Sequence, residues 1–411
     1  MSVSRFRSVV APGRRRPEIQ AALPLPVDEF VAAEKPSEPV HCLRPATIAA
    51  AARAFTSAFP GDVLYAVKCN PEPRVLRALW DGGVRHFDCA SPAEIALVRQ
   101  LFAQASIHYM HPVKGRAAIA EAWRKHRVRD FALDSAAELA KLLGICRVRP
   151  ADDEGLGLIV RLAPPASSAR YDLSGKFGAS LEDAAALLRA ARPHARRLGI
   201  SFHVGSQCLD PEAWARAVEL AGEAIREAGV VVDLIDVGGG FPVSYPDQDP
   251  APLGDFIAAI ARAVDGLDLD PAPRLWAEPG RALVAAGTSV VVQVELVRGR
   301  SLYVNDGVYG ALSDAGAPGF RFPARLIPAD GRTPSAETVD FELFGPTCDS
   351  ADRMKGPWPL PADAREGDWI EIGQLGAYGA ALRTAFNGFD RARLVDVPDA
   401  PLLATRGYPV S

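Results

Sequence analysis

Short apolar runs alternate with amphipathic segments through the first two-thirds of the chain. The runs are DVLYAV (62–67), HFDCA (86–90), IHYM (107–110), DFALD (130–134), LGLIVRL (156–162), GISFHVG (199–205), LIDVGGG (234–240) and RLWAEPG (274–280). Each is too short for a helix and rich in β-branched or aromatic residues, which predicts eight strands. Helix punctuation lies between them. Ser91-Pro92-Ala93-Glu94 is a capping box with proline at the first helical position. Ser135 with Glu138 is another, and the helix behind it is expected to stop at Gly144. An earlier helix, 45–59, places Ile48, Ala51, Phe55 and Phe59 on one face.

Strands separated by helices favour a parallel sheet covered by helices, because parallel neighbours need a crossover connection. The count of eight predicts an α/β fold, a closed TIM-like (β/α)8 barrel beginning with a helix. An open doubly wound sheet is the rival, but no GxGxxG stands at the first strand–helix turn.

From about residue 285 the period changes to two. TSVVVQVELV (288–297) puts Val290, Val292, Val294 and Leu296 on one face. LYVND (302–306), VDFELFG (339–345), DWIEIGQLG (368–376) and ARLVDV (392–397) follow with almost no helical pattern. A second, β-rich domain of barrel or sandwich type is predicted, with the Pro- and Gly-rich stretches 315–338 and 356–367 as its loops. PVHCL (39–43) is an extra strand expected to join it. The expected boundaries are therefore 1–44 for a lead-in and that strand, 45–285 for the barrel and 286–411 for the β-domain.

Composition excludes some functions. The 411 residues are 48% apolar and 23% charged, enough for a large core and incompatible with global disorder. Lys plus Arg is 46 against 50 for Asp plus Glu, a net charge of −4, which argues against nucleic-acid or membrane-surface partners. No run approaches the ~18 apolar residues that span a bilayer. Cys42, Cys69, Cys89, Cys146, Cys208 and Cys348 are scattered without a CxxC pair and read as reduced thiols of a cytoplasmic protein, with no metal site expected. Residues 1–20 hold five arginines and Glu18 as the only acid. That stretch resembles a transit peptide superficially and is read as a solvated, partly ordered lead-in.

In such a barrel the reactive groups sit at the C-terminal ends of strands. Those ends carry Lys68, Asp88, Arg161, His203, Gly238, Gly239, Gly240 and Glu278-Pro279-Gly280-Arg281. The chain has only seven lysines against 39 arginines. Lys68 at a barrel mouth therefore points to chemistry arginine cannot do, Schiff-base formation through a deprotonated amine; the plain alternative is a snorkelling side chain. The three glycines either present N–H groups to a phosphate or simply make a tight turn. Glu278 and Arg281 are a structural ion pair, or they serve a cofactor needing a phosphate anchor and a partner for a ring nitrogen. His203, taken singly, reads as a core histidine. Cys348-Asp349 in GPTCDSADR is a thiol beside an acid in a Gly/Pro loop, inert or functional.

Taken together, ten ordered segments carry a resemblance: YAVKCN (65–70), FDCAS (87–91), KFG (176–178), SFHVGSQC (201–208), DVGGGFP (236–242), AEPGR (277–281), YVNDGVYG (303–310), GPTCD (345–349), GAY (376–378) and FNGF (386–389). The chain resembles the pyridoxal-phosphate-dependent decarboxylases of the alanine-racemase-like barrel type, the family of ornithine, diaminopimelate and arginine decarboxylases. The resemblance implies that Lys68 would hold pyridoxal phosphate, His203 would stack on its ring and Glu278 would pair with its ring nitrogen. Ser206, Gly240, Gly280, Arg281 and Tyr378 would hold the phosphate beside Gly238 and Gly239, with Asp88 and Arg161 as supporting groups. Cys348 would protonate the α-carbon, while Asp349, Asp314 and Tyr309 would serve the substrate. Cys348 and Asp349 would reach a neighbouring subunit's site, making a head-to-tail homodimer.

The implied reaction is decarboxylation of a basic L-amino acid, L-ornithine to putrescine first and L-lysine to cadaverine second. Glu278 favours it, since the racemases on this barrel place an arginine there and so weaken the electron sink. Cys348-Asp349-Ser350 stands where the diaminopimelate enzymes usually carry Cys-Glu-Ser. The aromatic-Asp-His segment of the eukaryotic-type ornithine enzymes is replaced by ALSDAGAPGF, which offers only Asp314. Ornithine against lysine, arginine or diaminopimelate stays open, and a non-catalytic regulator on the same fold is a further alternative.

Overall fold

The structure is a computed structural model that describes residues 24–146, 155–164, 169–170 and 175–404. The arginine-rich stretch 1–20 lies outside the described residues. A helix, α1 (Val27–Glu34), and a strand, β1 (Val40–Leu43), precede the first large unit. That unit is a closed barrel of eight parallel strands: β2 (Asp62–Ala66), β3 (His86–Cys89), β4 (Ser106–Tyr109), β5 (Asp130–Leu133), β6 (Gly157–Arg161), β7 (Arg197–Ser201), β8 (Leu234–Asp236) and β9 (Arg274–Ala277). Pairing of Asp62 with Trp276 and of Val63 with Ala277 closes the ring. Each of the eight apolar runs is one of these strands. Most of them read as nearly continuous apolar stretches because a parallel strand is covered on both faces.

Helices α2 (Pro45–Ala58), α3 (Pro73–Asp81), α4 (Pro92–Leu101), α5 (Arg116–Arg124), α6 (Ala136–Ile145), α7 (Leu181–Ala191), α8 (Glu212–Ala228) and α9 (Leu253–Asp265) surround the strands, and α2 comes first in sequence. The Ser91 hydroxyl accepts from Glu94 N at 3.3 Å, the first half of the predicted capping box, while Glu94 accepts from Ala90 N at 2.6 Å, one residue before the cap. Ser135 caps α6 in the same way, accepting from Glu138 N at 3.4 Å. The expected stop at Gly144 is corrected: α6 runs through it to Ile145, and Cys146 N still reaches Leu142 O at 2.8 Å. Space around Gly144 is open, so nothing forces the helix to end there.

After β9 comes a short helix, α10 (Arg281–Val284), and then the second unit. Its strands are β10 (Thr288–Arg298), β11 (Ser301–Val304), β12 (Ala324–Ile327), β13 (Thr338–Phe344), β14 (Arg353–Pro361), β15 (Trp369–Ile372) and β16 (Arg393–Asp396). They form a curled sheet in the order β12-β15-β10-β11-β13-β14, with β1 running antiparallel to β10 and parallel to β16. Two stretches read as loops contain strand, β12 inside 315–338 and the second half of β14, up to Pro361, at the start of 356–367. Prolines disguised the second. Pro357, Pro359 and Pro361 recur at every other position, so all three turn the same edge outward, and β14 ladders only with β13 among the described residues. An edge strand tolerates proline because no partner needs the missing N–H.

The barrel and its helices share one apolar core; the interior of the β-sheet, around Val290, Val292, Leu302, Phe341 and Ile370, is another. Several polar ties join the units, and two of them hold the turn after β2. Tyr378 N donates to Cys69 O at 2.9 Å, and Asn70 Nδ2 donates to Gly376 O at 2.8 Å. The turn that follows β2 is therefore clamped by the β-domain. No helix among the described residues is long and apolar enough to cross a membrane.

Candidate active site

A cavity of about 470 Å³ opens at the C-terminal end of the barrel strands. Lys68, Asp88, Arg161, His203, Ser206, Gly240, Glu278, Gly280, Arg281 and Tyr378 all line it. Ten residues singled out from separate stretches of sequence thus meet in one space, because nine follow or end barrel strands and the β-domain brings in Tyr378.

Lys68 sits in the single turn Val67–Cys69 that the β-domain clamps. Its Nζ donates to Asp88 Oδ2 at 2.8 Å, and the other carboxylate oxygen of Asp88 is buried with no partner. The Lys68 side chain is 45% accessible because it faces the cavity, whereas Asp88 is 1% accessible. Burial opposes the ammonium form, but Asp88, Glu278 and Tyr378 outweigh it and hold the amine above the usual lysine range.

Glu278 follows β9 and Asp236 ends β8, where Asp236 Oδ2 is buried without a hydrogen-bond partner. Two interacting buried carboxyls resist ionising together. Burial, then Asp236 and Asp88, push Glu278 well above the carboxylate range; burial lifts Asp236 to about 6. A cationic ring nitrogen arriving at Glu278 would favour its ionised form.

His203 follows β7, and its Nδ1 accepts from Gly205 N at 3.0 Å. Nδ1 is thus the acceptor and Nε2 carries the proton. Burial, Arg161 and Lys68 lower the pKa to about 3, leaving a neutral imidazole that can lie flat on an aromatic ring. Gly238 and Gly239 stand behind the cavity wall and let the neighbours come close. A Cβ on Gly239 would be 3.0 Å from His203 Nε2 and 2.6 Å from Glu278 O. Gly240, at φ 103°, has no room either, since a Cβ would collide with Gly205 O.

Arg281 is 6% exposed and lies over the rings of Phe320 at 4.6 Å and Tyr378 at 5.3 Å. Its Nη1 donates to the Tyr245 hydroxyl at 2.8 Å and its Nη2 to Asp314 Oδ2 at 2.9 Å. The Nε–H is buried and unpartnered, an N–H held ready for an anion.

Four singled-out side chains, all of the β-domain, do not reach this chain's own cavity. Asp314 stands behind Arg281. Tyr309 donates its hydroxyl proton to Asp349 Oδ2, and its ring packs 4.8 Å from Phe386. Cys348 is exposed, with its N–H donating to Asn387 Oδ1 at 3.2 Å. These groups of the β-domain form a separate surface, with Phe386 and Phe389 41% and 44% exposed beside them.

The cavity also contains residues not singled out from the sequence. His111 comes two residues after β4, the same strand-end position as the others, and packs edge-on to Phe177 at 5.2 Å. Its Nδ1 accepts from Val113 N at 3.1 Å. Lys114 holds the loop from below, with Nζ donating to His111 O at 2.9 Å and Ala132 O at 2.6 Å. Lys176 and Phe177, in the KFG segment, complete that wall.

The donor set fits an aromatic aldehyde that carries a phosphate. An amine stands ready for the carbonyl, an acid for a ring nitrogen, an imidazole for the ring face and an unspent arginine N–H for the anion. A volume of this size suits a small cofactor with part of a substrate.

Comparison with known proteins points the same way. Residues 45–285 match the family described as pyridoxal-dependent decarboxylase, pyridoxal binding domain. The chain is 32% identical to the lysine/ornithine decarboxylase of Selenomonas ruminantium over 355 residues, which is 84% of this chain and 85% of that protein. It is 33% identical to the ornithine decarboxylase of Schizosaccharomyces pombe over 349 residues, 80% of this chain and 76% of that one. Among solved structures, the arginine decarboxylase of Paramecium bursaria Chlorella virus bound to agmatine superposes with a TM-score of 0.78 at 28% identity, covering 90% of this chain and 99% of that chain.

Proposed function

The chain belongs to the pyridoxal-dependent decarboxylases, and on that premise we propose that it converts L-ornithine to putrescine, with L-lysine to cadaverine as a second reaction. The protein is a pyridoxal-phosphate-dependent carboxy-lyase acting on a basic amino acid. One observation carries it at the level of residues, namely Lys68, His203, Glu278 and the unspent Arg281 N–H around a single cavity.

When bound, the cofactor supplies the electron sink for the pair left on the α-carbon as carbon dioxide departs. The chain's own groups do the rest. Lys68 would provide the amine for the aldehyde, with Asp88 and Arg161 as supporting groups. Glu278 would favour a protonated ring nitrogen, His203 would cover one ring face, and Ser206, Gly240, Gly280, Arg281 and Tyr378 would receive the phosphate, with Gly238 and Gly239 shaping the turn.

Cys348 delivers the proton to the α-carbon, and Asp349, aided by Tyr309, takes the substrate's distal ammonium. Hydrogen bonds from Ala351 N and Tyr309 hold the Asp349 carboxyl below its usual range, so it stays anionic. These groups act in a second copy's site within a head-to-tail homodimer. Their exposure, their separation from their own cavity and the bare rings of Phe386 and Phe389 beside them support that arrangement. Five buried free thiols support a reducing, cytoplasmic setting.

A second reading keeps every cofactor residue and changes the substrate to lysine, arginine or diaminopimelate. The mixture of lysine/ornithine and arginine enzymes among the relatives favours keeping it in view. Purified protein with a visible Schiff-base absorbance band, assayed for carbon dioxide release from all four amino acids, separates the readings. Ornithine and lysine are expected to lead; arginine or diaminopimelate turning over fastest would overturn the substrate assignment.

A further inference from the structure

We infer that Asp314 is a positioning residue for the phosphate end of the cavity, acting through Arg281 rather than meeting the substrate's distal amine. The inference rests on the cofactor reading above and deepens it. Arg281 is the only part of the pair that faces the cavity. A guanidinium offers N–H groups in a fixed plane, so fastening one edge decides where the other edge points. Here Asp314 Oδ2 at 2.9 Å and the Tyr245 hydroxyl at 2.8 Å occupy Nη2 and Nη1. The Nε–H is left buried and without a partner. Phe320, 4.6 Å from the guanidinium carbon, supports the plane from one side.

Asp314 reaches this place from the β-domain, on the single turn Ser313–Ala315, 33 residues after Arg281. Phe320 N donates to Asp314 O at 2.9 Å, so the same loop supplies both the carboxylate and the ring. The carboxylate is 12% exposed and already engaged; an ammonium could reach it only by displacing a guanidinium that is itself 5% exposed. With Asp314 in place the buried cation is balanced before any cofactor arrives, so the anion site is preformed.

Two titrations of the apoprotein test this, one with pyridoxal phosphate and one with pyridoxal, each followed by absorbance. The ratio of the two dissociation constants isolates the phosphate. In Asp314→Ala the ratio is expected to fall about tenfold, as for one misaligned charge-assisted hydrogen bond, with pyridoxal affinity unchanged. Asp314→Asn keeps an acceptor for Nη2 and is expected to retain most of the ratio and the wild-type KM for diamino acids. An unchanged ratio in Asp314→Ala overturns the inference. So does an Asp314→Asn enzyme whose ratio is intact but whose KM for the diamino acid rises more than about tenfold, the mark of a lost ammonium partner; this arm stands even if Asp314→Ala does not fold. If the wild-type protein shows no preference for the phosphate-bearing aldehyde, the cofactor reading itself fails.

Discussion

Lys68 Nζ stands 2.8 Å from Asp88 Oδ2, joining an amine that faces the cavity to a carboxylate sealed beneath it. The pairing has a kinetic consequence. Only the neutral amine attacks an aldehyde, yet Asp88, with Glu278 and Tyr378, overcomes burial and keeps this one protonated at neutral pH. Cofactor capture by the apoprotein should therefore accelerate with pH, about tenfold per unit while pH lies below the amine's pKa. Asp88→Asn removes the strongest stabiliser of the ammonium and should speed capture at pH 7. Stopped-flow absorbance measures both; capture that slows in the variant at every pH would contradict the electrostatic account.

Cys348 and Lys68 should complement each other across chains. Lys68→Ala is expected to lose cofactor capture, and Cys348→Ala to bind the cofactor but lose most correct product. If sites are built from two copies, mixing the inactive variants at equal amounts should recover about a quarter of wild-type activity, because half of the dimers then carry one intact site. A mixture that stays inactive after subunit exchange, verified by differently tagged chains, would place the whole site within one chain.

A stability prediction concerns Glu371, which is 1% exposed. It accepts from Arg44 at 3.0 Å, Arg325 at 2.7 Å and the Ser289 hydroxyl at 2.6 Å, tying the residue before α2 to the β-sheet. Glu371→Ala leaves the buried Arg44 without its main counterion and should cost about 3–5 kcal/mol. Urea denaturation reads this directly, and a loss below about 1 kcal/mol would mean that Asp399, 3.4 Å from Arg44, compensates.

The barrel was legible because its strands are short, mostly apolar runs set between helix caps and glycines. The strand-end rule then brought Lys68, Asp88, Arg161, His203, Glu278 and Arg281 to one mouth. The same rule applies to His111, which was passed over although it follows β4 by two residues. Strand β14 was hidden by prolines that only an edge position makes harmless. Nothing in the sequence links Arg281 to Asp314, since their contact crosses between two domains and follows no period. The parts proposed for Cys348 and Asp349 came from family resemblance alone, because a group that works in another subunit leaves no local pattern.

Strand β1 sits between β10 and β16, pairing Val40 with Val291 on one side and Arg393 on the other. During synthesis at ~5–20 residues per second, its first partner emerges roughly ten to fifty seconds after it does. Until then an apolar ribbon with two bare edges precedes a barrel that can already close. Strand β16, the last among the described residues, covers the second edge of β1, so chains truncated near residue 390 should leave that edge bare while keeping the cylinder and the 376–378 clamp on the Lys68 turn.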